Sequence, residues 1–487
     1  MSSKILINAV DAEECRIAKV TDSKLEDFQI ETTSHQITHG NIYKGVITRI
    51  EPSLQAVFVD YGAERNGFLQ KQEIHYDYFQ ESTNPERTMH QLVKKGQELL
   101  LQVTKDPLGS KGAMLTTFIS LPGRYLVLMP GTENRGISRK IEDEEERKRL
   151  KDIVQGLKIP EGFGVIVRTA GLGCTKTLIN NDLNYLLRLW KNIKSQVIAA
   201  PTPSLMYKER NVVVRSLRDY FTSDIVEILI DDPKVHQEAK DFIKLIAPKQ
   251  AGAVKLYRGV KPIFTKFQLE HQIASIFESR VTLKSGGSIV IEQTEALVSI
   301  DVNSGKATKG KDIEETAFET NMEAAEEVAR QLRMRDMGGL IVVDFIDMRD
   351  NKHRTEVVIA LKNNMKIDKA RTRIGRITNF GLLEMSRQRL RPSIDYGRFE
   401  TCRYCRGKGV IPSAETLGAE FLRALNLETL RPNMSVARCM LPIPTAAYVL
   451  NKKRREIMDL EARRGVQVLI EGDPDMIPGE SHIAMES

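Results

Sequence analysis

A multidomain α/β fold is predicted, on three observations. The chain has 487 residues, too many for a single hydrophobic core and enough for about three to five domains or subdomains. Its first quarter is a succession of short strand patterns, as in a meander followed by a barrel. Between residues 297 and 344 a strand, a long amphipathic helix and a second strand follow one another, which is a parallel crossover unit.

The opening SKILINAVDAEECRIAKVTDSKLEDFQIETTS holds three β-like runs separated by turn residues and reads as a small antiparallel meander. GNIYKGVITRIEPSLQAVFVDYGAERNGFLQ and VKKGQELLLQVTKDPLGSKGAMLTTFIS continue in strands. Together they would complete a five-strand, OB-like barrel, whose sheet face and loops commonly bind single-stranded nucleic acid. In QAVFVDY, Val57 and Val59 share one face while Ala56, Phe58 and Asp60 share the other, because side chains alternate along a strand. Phe58, with Phe68 after the turn GAERNG, is then either half-buried filler or a platform on which a base can stack.

LPGRYLVLMPGTENRGISRKIEDEEERKRLKDIVQ reads as a strand and a charged helix. GFGVIVRTAGLG brings a further strand to a glycine-rich turn at Arg168 and Thr169, where a guanidinium fork, a hydroxyl and free backbone N–H groups could hold a phosphate. NDLNYLLRLWKNIKSQV and HQEAKDFIKLIAPKQ read as helices, with AAPTPSLMY as the loop between them.

In LVSIDVNSGKATKG, Val298, Ile300 and Val302 share one face and Ser299, Asp301 and Asn303 the other. GGLIVVDFIDM supplies a second strand, apolar enough to be covered on both faces, that stops at Asp344. Between them Ile313, Ala317, Ala324, Val328 and Leu332 fall at helical spacing, with Asp312 a candidate N-cap and Gly338 a candidate C-terminal stop. A crossover of this kind lays the two strands parallel, so Asp301, Asn303 and Asp344 reach the same sheet edge. Two carboxylates and an amide oxygen suit a hard cation such as Mg²⁺, which can polarise a phosphoryl group and generate a nucleophilic hydroxide. An Asx-turn and an arginine partner would account for the same residues.

The formal net charge is +7, a mild bias towards anionic partners. Nine arginines lie between Arg371 and Arg406 against the three acids Glu384, Asp395 and Glu400. The stretch EMSRQRLR within this span reads as helical, and arginine excess beside a candidate Mg²⁺ site reads as a phosphate-backbone track. No segment approaches a membrane span, and MSSKILINAVDAEECR lacks the apolar core of a signal peptide. A soluble, cytoplasmic protein is therefore expected. Five cysteines at irregular spacing argue against a secreted disulfide framework. Cys402 and Cys405 in TCRYCRGKG have the spacing of half a tetrahedral zinc site. A redox pair, completion by Cys439 or His482, or a site shared between two copies of the chain would each fit. The glycine turn and the absence of a thioredoxin-like βαβ context favour the shared site.

The chain closely resembles the ribonuclease E/G family. The resemblance rests on KDPLGSKGAMLTTFISLPGRYLVLMPG, GISRKIE, VIVRTA, VSIDVNSGKATKG, IEETAFETNMEAAEEVARQLRMRDMGGLIVVDFIDM and FGLLEMSRQR in order. It covers residues 1 to about 415 and fades beyond. The fold it implies is a ribonuclease H-like domain (1–38 and 213–278) interrupted by an OB, S1-type RNA-binding domain (39–119) and a 5′-sensor region (120–212). A DNase I-like catalytic domain (279–398), a zinc link (399–414) and a small dimerising domain (415–487) follow. The residues implied to hold Mg²⁺ are Asp301 and Asp344, with Asn303 orienting the scissile phosphate. Gly123, Val127, Arg168, Thr169 and Arg371 match the 5′-monophosphate pocket, and Phe58, Phe68 and Lys111 the RNA contacts of the barrel. Cys402 and Cys405 match the half-site that two protomers complete with one zinc, giving a homodimer that can pair further into a tetramer. Arg403 stands where many members have proline; neither is a ligand. At 487 residues the chain looks like the compact members of the family, without the long arm that recruits other degradation enzymes.

The expected function is that of a Mg²⁺-dependent, single-strand-specific endoribonuclease, a phosphodiester hydrolase. It would act in rRNA and tRNA precursor processing and in mRNA decay, and favour 5′-monophosphorylated RNA. The alternative is a non-catalytic, OB-type RNA-binding or ribosome-associated protein using the same basic track.

Overall fold

A computed structural model describes residues 3–32, 38–80, 89–107, 111–209, 212–222, 224–305, 313–390, 393–395 and 398–486. The fold divides into two compact units, residues 1–396 and 397–487.

The chain begins with the strands Ser3–Asn8, Glu14–Thr21 and Lys24–Thr32, paired as an antiparallel meander. Much later, Ile225–Ile230 joins Ser3–Asn8 in parallel and Val254–Leu256 adds outside it, so one five-stranded sheet is built from two distant segments. Ile5, Ile7, Leu217 and Phe242 are buried together on one side of it and Leu6, Leu25, Phe28 and Phe264 on the other, which explains the continuous apolar run of the first strand.

The excursion between these segments contains the barrel. Its strands Ile42–Glu51, Ala56–Asp60, Gly67–Gln70, Glu98–Lys105 and Met114–Thr116 close because the first also pairs with Glu98–Lys105. Ser204–Tyr207 extends the barrel sheet along Ile42–Glu51. The segment AAPTPSLMY is thus a loop only in its first half, because Ser204–Tyr207 finds partners more than 150 residues away in sequence. Beside the barrel, Leu121–Pro122, Leu126–Pro130, Arg135–Ile137 and Phe163–Val167 form a four-stranded sheet. It packs against the helices Glu144–Gln155, whose first turn is capped by Asp143, and Lys176–Ala199, capped by Thr175.

The remaining sheet of the first unit has six strands, ordered Arg280–Thr282, Ser288–Gln293, Leu297–Asn303, Gly339–Asp344, Leu382–Arg387 and Thr372–Ile377. Leu297–Asn303 and Gly339–Asp344 are parallel, joined through the helix Ile313–Met334. That helix and Asn351–Met365 share one cluster with Ile300, Val302, Ile341 and Val343. Both helices therefore cover the same face, and the opposite face stays open: Leu340 is 48% exposed and Asp301, Asn303, Asp344 and Glu384 face solvent. The expectation that Leu340–Val343 is covered on both faces is thus corrected.

Three local expectations also change. The helix ends at Met334 and the chain turns at Asp336, with φ +51°, two residues before the expected stop at Gly338; Asp312 lies outside the described residues. Ile313 is 89% exposed, and the buried stripe runs instead through Ala317, Asn321, Ala324, Val328 and Leu332. The described part of EMSRQRLR, residues 384–390, is not helical. Leu383, Met385 and Arg387 are buried and alternate with the more accessible Leu382, Glu384 and Ser386, a period of two that makes a strand.

In the second unit the helix Ala414–Glu428 precedes the strand Val436–Pro442, the helices Ile443–Lys452 and Arg454–Arg464, and a parallel strand Gln467–Asp473. His482–Glu486 completes the three-stranded sheet in antiparallel fashion. A βαβ crossover therefore does follow Cys402 and Cys405. Ala437, Cys439 and Leu441 supply its buried strand face, a short alternation that passes easily for a loop.

Candidate active site

Parallel pairing sets Asp301 directly opposite Asp344 at the C-terminal ends of adjacent strands. Asn303, two residues beyond Asp301 on the same face, donates its Nδ2 to Asp301 Oδ2 at 2.7 Å, and both side chains are exposed. The Asp344 carboxyl is held above the ordinary aspartate range by partial burial and by the negative charges of Asp301 and Asp347. Asp347 was not among the expected residues. It lies against the backbone of Gly381, where an added Cβ would come within 3.1 Å of Asp347 Oδ1 and 3.8 Å of Asp344 Oδ1. The second acid of VDFIDM was its only sequence signal.

The loop after Asp344 is fastened by the crossover helix. Buried Asn321 donates Nδ2 to the Ile346 carbonyl at 2.8 Å and accepts the Ile346 N–H at 3.0 Å. Glu314 accepts the N–H groups of Arg349 and Asp350 and binds His353 Nδ1 at 2.9 Å, contacts that bring its carboxyl down to about 2. Asn321 could have been noticed as the polar residue in an otherwise small and apolar helix stripe. Its role depends on where the loop falls, which the stripe does not reveal.

A second cluster gathers four of the five expected phosphate-pocket residues. Arg168 follows the strand Phe163–Val167, and Val127 on the neighbouring strand pairs with Ile166 and with Pro122. Arg168 donates to the Gly123 carbonyl at 2.6 Å and to Asp219 Oδ1 at 2.7 Å. Burial opposes ionisation of Asp219, yet Arg218, Arg168 and Lys369 hold its carboxyl far below the usual range. Gly123 has no room for a side chain, since an added Cβ would sit 2.5 Å from Asp182 Oδ2, and Asp182 is itself occupied with the N–H groups of Arg124, Tyr125 and Leu126. Thr169 opens a single 3₁₀ turn. Arg371, exposed, immediately precedes the far strand of the six-stranded sheet. The turn that leads to it is held against the second cluster: Lys140 Nζ donates to the carbonyls of Asp368, Lys369 and Ala370, and the Lys369 ammonium lies over the Tyr220 ring.

On the barrel, Phe58 and Phe68 are directly opposite each other, their ring centroids 5.7 Å apart at 65°. The Arg49 guanidinium lies 4.8 Å from the Phe58 centroid. Both rings are half-buried, so they serve as packing and as accessible aromatic surface together, and Lys111 is exposed. The arginine-rich span divides by role. Arg387 is buried on Asp368, Asp336 and the Met337 carbonyl, so it does not belong to an open phosphate track, whereas Arg389 donates Nε to the Gly338 carbonyl and stays exposed.

In the second unit Cys402 is exposed and Cys405 half-buried. The Cys405 thiol is lowered by the backbone N–H groups of Gly409 and Gly407, which the left-handed turn at Arg406, Gly407 and Gly409 aims at it. Cys439 is buried among Phe421, Leu425 and Val449, its thiol pushed up to about 11 by that burial, and His482 is exposed opposite Met440. Among the described residues no group of three or more His, Cys, Asp or Glu side chains is arranged to hold a metal, and no helix is long and apolar enough to cross a membrane.

Residues 120–390 match the model of the ribonuclease E/G family, residues 36–106 that of the S1 RNA binding domain, and residues 401–486 that of the RNase E/G thioredoxin-like domain. The last match and the crossover described above overturn the expectation that a thioredoxin-like context is absent. Ribonuclease E of Haemophilus influenzae is 47% identical over 470 residues, 96% of this chain and 50% of that protein. Ribonuclease E of Escherichia coli is 47% identical over 485 residues, 99% of this chain and 46% of its own length. Ribonuclease G of Haemophilus influenzae is 38% identical over 430 residues, 87% of either chain. The chain thus spans about half the length of the ribonuclease E relatives, and the similarity does not fade at residue 415 but continues through the last unit.

Proposed function

The chain belongs to the ribonuclease E/G family, and on that premise we propose that it is a Mg²⁺-dependent endoribonuclease that cuts single-stranded RNA and favours substrates with a 5′-monophosphate. One observation carries the reading: Asp301 and Asp344 face each other in register at an open sheet edge, with Asn303 bonded to one of them. Like charges held together without a described cation beside them are costly in the absence of a ligand. The donor set, two carboxylates and an amide oxygen, fits a hard divalent ion that keeps several waters. Mg²⁺ there would neutralise the pair, polarise the scissile phosphate and lower the pKa of a bound water. The chain's own residues do the rest. Asp301 and Asp344 hold the ion, Asn303 orients the phosphate, and Asn321 and Glu314 keep the Asp344 loop in place.

The fork of Arg168, fixed by Gly123 and Asp219, together with the Thr169 hydroxyl and the Val127 backbone, is the 5′-phosphate pocket in this reading, and Arg371 adds charge from the adjoining turn. Phe58, Phe68 and Lys111 guide the strand across the barrel. The domain plan is a ribonuclease H-like sheet split by the S1 barrel and sensor, then a DNase I-like catalytic sheet. Cys402 and Cys405 of two chains hold one zinc, which makes the working form a homodimer that can pair again as a tetramer. Its substrates are rRNA and tRNA precursors and mRNA entering decay, in the cytoplasm. The test is cleavage of a single-stranded RNA oligomer carrying a 5′-phosphate or a 5′-hydroxyl, with Mg²⁺ and with EDTA. Metal-dependent cleavage that is faster with the phosphate is the expected result.

A further inference from the structure

The strand Thr372–Ile377 returns into Leu382–Arg387 through Thr378, Asn379, Phe380 and Gly381. This turn is tightly built. Thr378 N–H donates to the Leu382 carbonyl at 2.8 Å, Gly381 N–H to the Thr378 carbonyl at 3.2 Å, and Phe380 N–H to Thr378 Oγ1 at 3.3 Å. Gly381 has φ +80°, a conformation that favours glycine, and its missing Cβ lets the turn lie against Asp347 and Asp344. Its carbonyl accepts the N–H of Phe345, the residue after Asp344. The turn is therefore fixed to the candidate metal site itself. On it stands Phe380, 84% exposed, the most accessible of the exposed aromatic side chains among the described residues. A phenylalanine so placed contributes almost nothing to the core, and nothing in its turn requires an aromatic ring. The strand that leads into the turn also carries exposed Arg373 and Arg376.

We propose that Phe380 is a base-stacking subsite of the catalytic edge: its ring takes the nucleobase of a nucleotide flanking the scissile phosphate and so sets where along a single strand the chain is cut. This rests on the ribonuclease reading above. Stacking on an aromatic ring is open to any base and only to an unpaired one, so the same contact would help exclude duplex. The site lies at the cut, apart from the Phe58–Phe68 pair on the barrel.

The test uses a short single-stranded RNA with one cleavage site, and copies carrying a single abasic nucleotide on either side of it. Affinity is measured in EDTA and cleavage with Mg²⁺. Phe380→Ala should weaken binding of the intact RNA by about tenfold, within the range that stacking spans. Phe380→Leu should behave like Ala and Phe380→Tyr like the parent. Replacing the stacked base with an abasic site should weaken the parent about as much and the Ala variant hardly at all. Equal affinity of the parent, Ala and Leu variants, or equal losses by parent and Ala variant on the abasic RNA, would overturn the subsite. If the parent fails to cleave RNA with Mg²⁺, the nuclease reading falls, while the affinities in EDTA still decide the role of Phe380.

Discussion

The two ends of the Gly339–Asp344 strand hold charge in opposite ways. At its start, across from Gly339, Arg387 is buried with its fork on Asp368 at 2.7 and 3.2 Å and a further contact to the Met337 carbonyl at 2.7 Å. Both side chains are only 2% exposed, and every charge has a partner supplied by the fold. At its other end Asp344 faces Asp301, with Asp347 close by, and no described cation pairs with either member. The first arrangement completes the structure. The second sets two like charges in register with no described partner, which is the difference that the proposed metal site rests on.

The largest effect should come from breaking the compensated end. Asp368→Ala leaves the Arg387 guanidinium buried and unpaired, which should destabilise the first unit by roughly 3–5 kcal/mol, read as a shift in the urea midpoint, while the molecules that remain folded keep their specific activity. A midpoint unchanged by Asp368→Ala would mean that the pair is not what holds this end of the sheet.

The proposed phosphate pocket lies between the two cases, since Arg168 already has protein partners in the Gly123 carbonyl and Asp219. Arg168→Ala should remove most of the advantage of a 5′-phosphate over a 5′-hydroxyl RNA, on the order of tenfold, and leave the hydroxyl substrate nearly unaffected. Equal losses on both substrates would place Arg168 with Arg387 as a structural residue.

Cys405 and Cys439 repeat the comparison in the second unit. Cys439 is a buried thiol in a finished core, whereas Cys402 and Cys405 converge at the surface with two ligands of the four that a structural zinc needs. About half an equivalent of zinc per chain is expected, and Cys405→Ser should release it and lower the mass in solution. One zinc per chain, with a mass insensitive to Cys405→Ser, would argue for a site closed within one chain.

The smallest effect is on pH. The Asp344 carboxyl is raised in the folded chain, so without metal its contribution to stability is present below the unfolded value and is lost as pH rises through the folded one. In EDTA the thermal midpoint of Asp344→Asn should therefore draw level with the parent at acid pH, where the carboxyl is protonated in both the folded and the unfolded chain, and rise slightly above it as pH climbs through the raised folded value, and Mg²⁺ should reverse the order. A difference that does not change with pH would show that Asp301 and Asp347 do not press on Asp344.

What could be read in the sequence follows from the range of the interactions. The crossover, and hence the pairing of Asp301 with Asp344, was legible because the alternation of two strands and the periodicity of a helix are local patterns. Arg387 was misread because its partner Asp368 lies 19 residues away and only the fold turns an arginine of an apparently solvated stretch inward. Asp347 and Phe380 stand in a loop and a turn, where no periodicity marks which side chain faces the site. The last unit was expected only as a small domain, because the buried face of Val436–Pro442 is Ala437, Cys439 and Leu441, a weaker apolar signal than Val298, Ile300 and Val302.

The central claim, that the open end of the strand is where phosphodiester bonds are cut, is tested most directly by the cleavage rate of Asp344→Asn at saturating 5′-phosphorylated single-stranded RNA. A fall of about a hundredfold or more, with RNA affinity changed by no more than about twofold, is the predicted result. A rate close to that of the parent at low Mg²⁺ would contradict it.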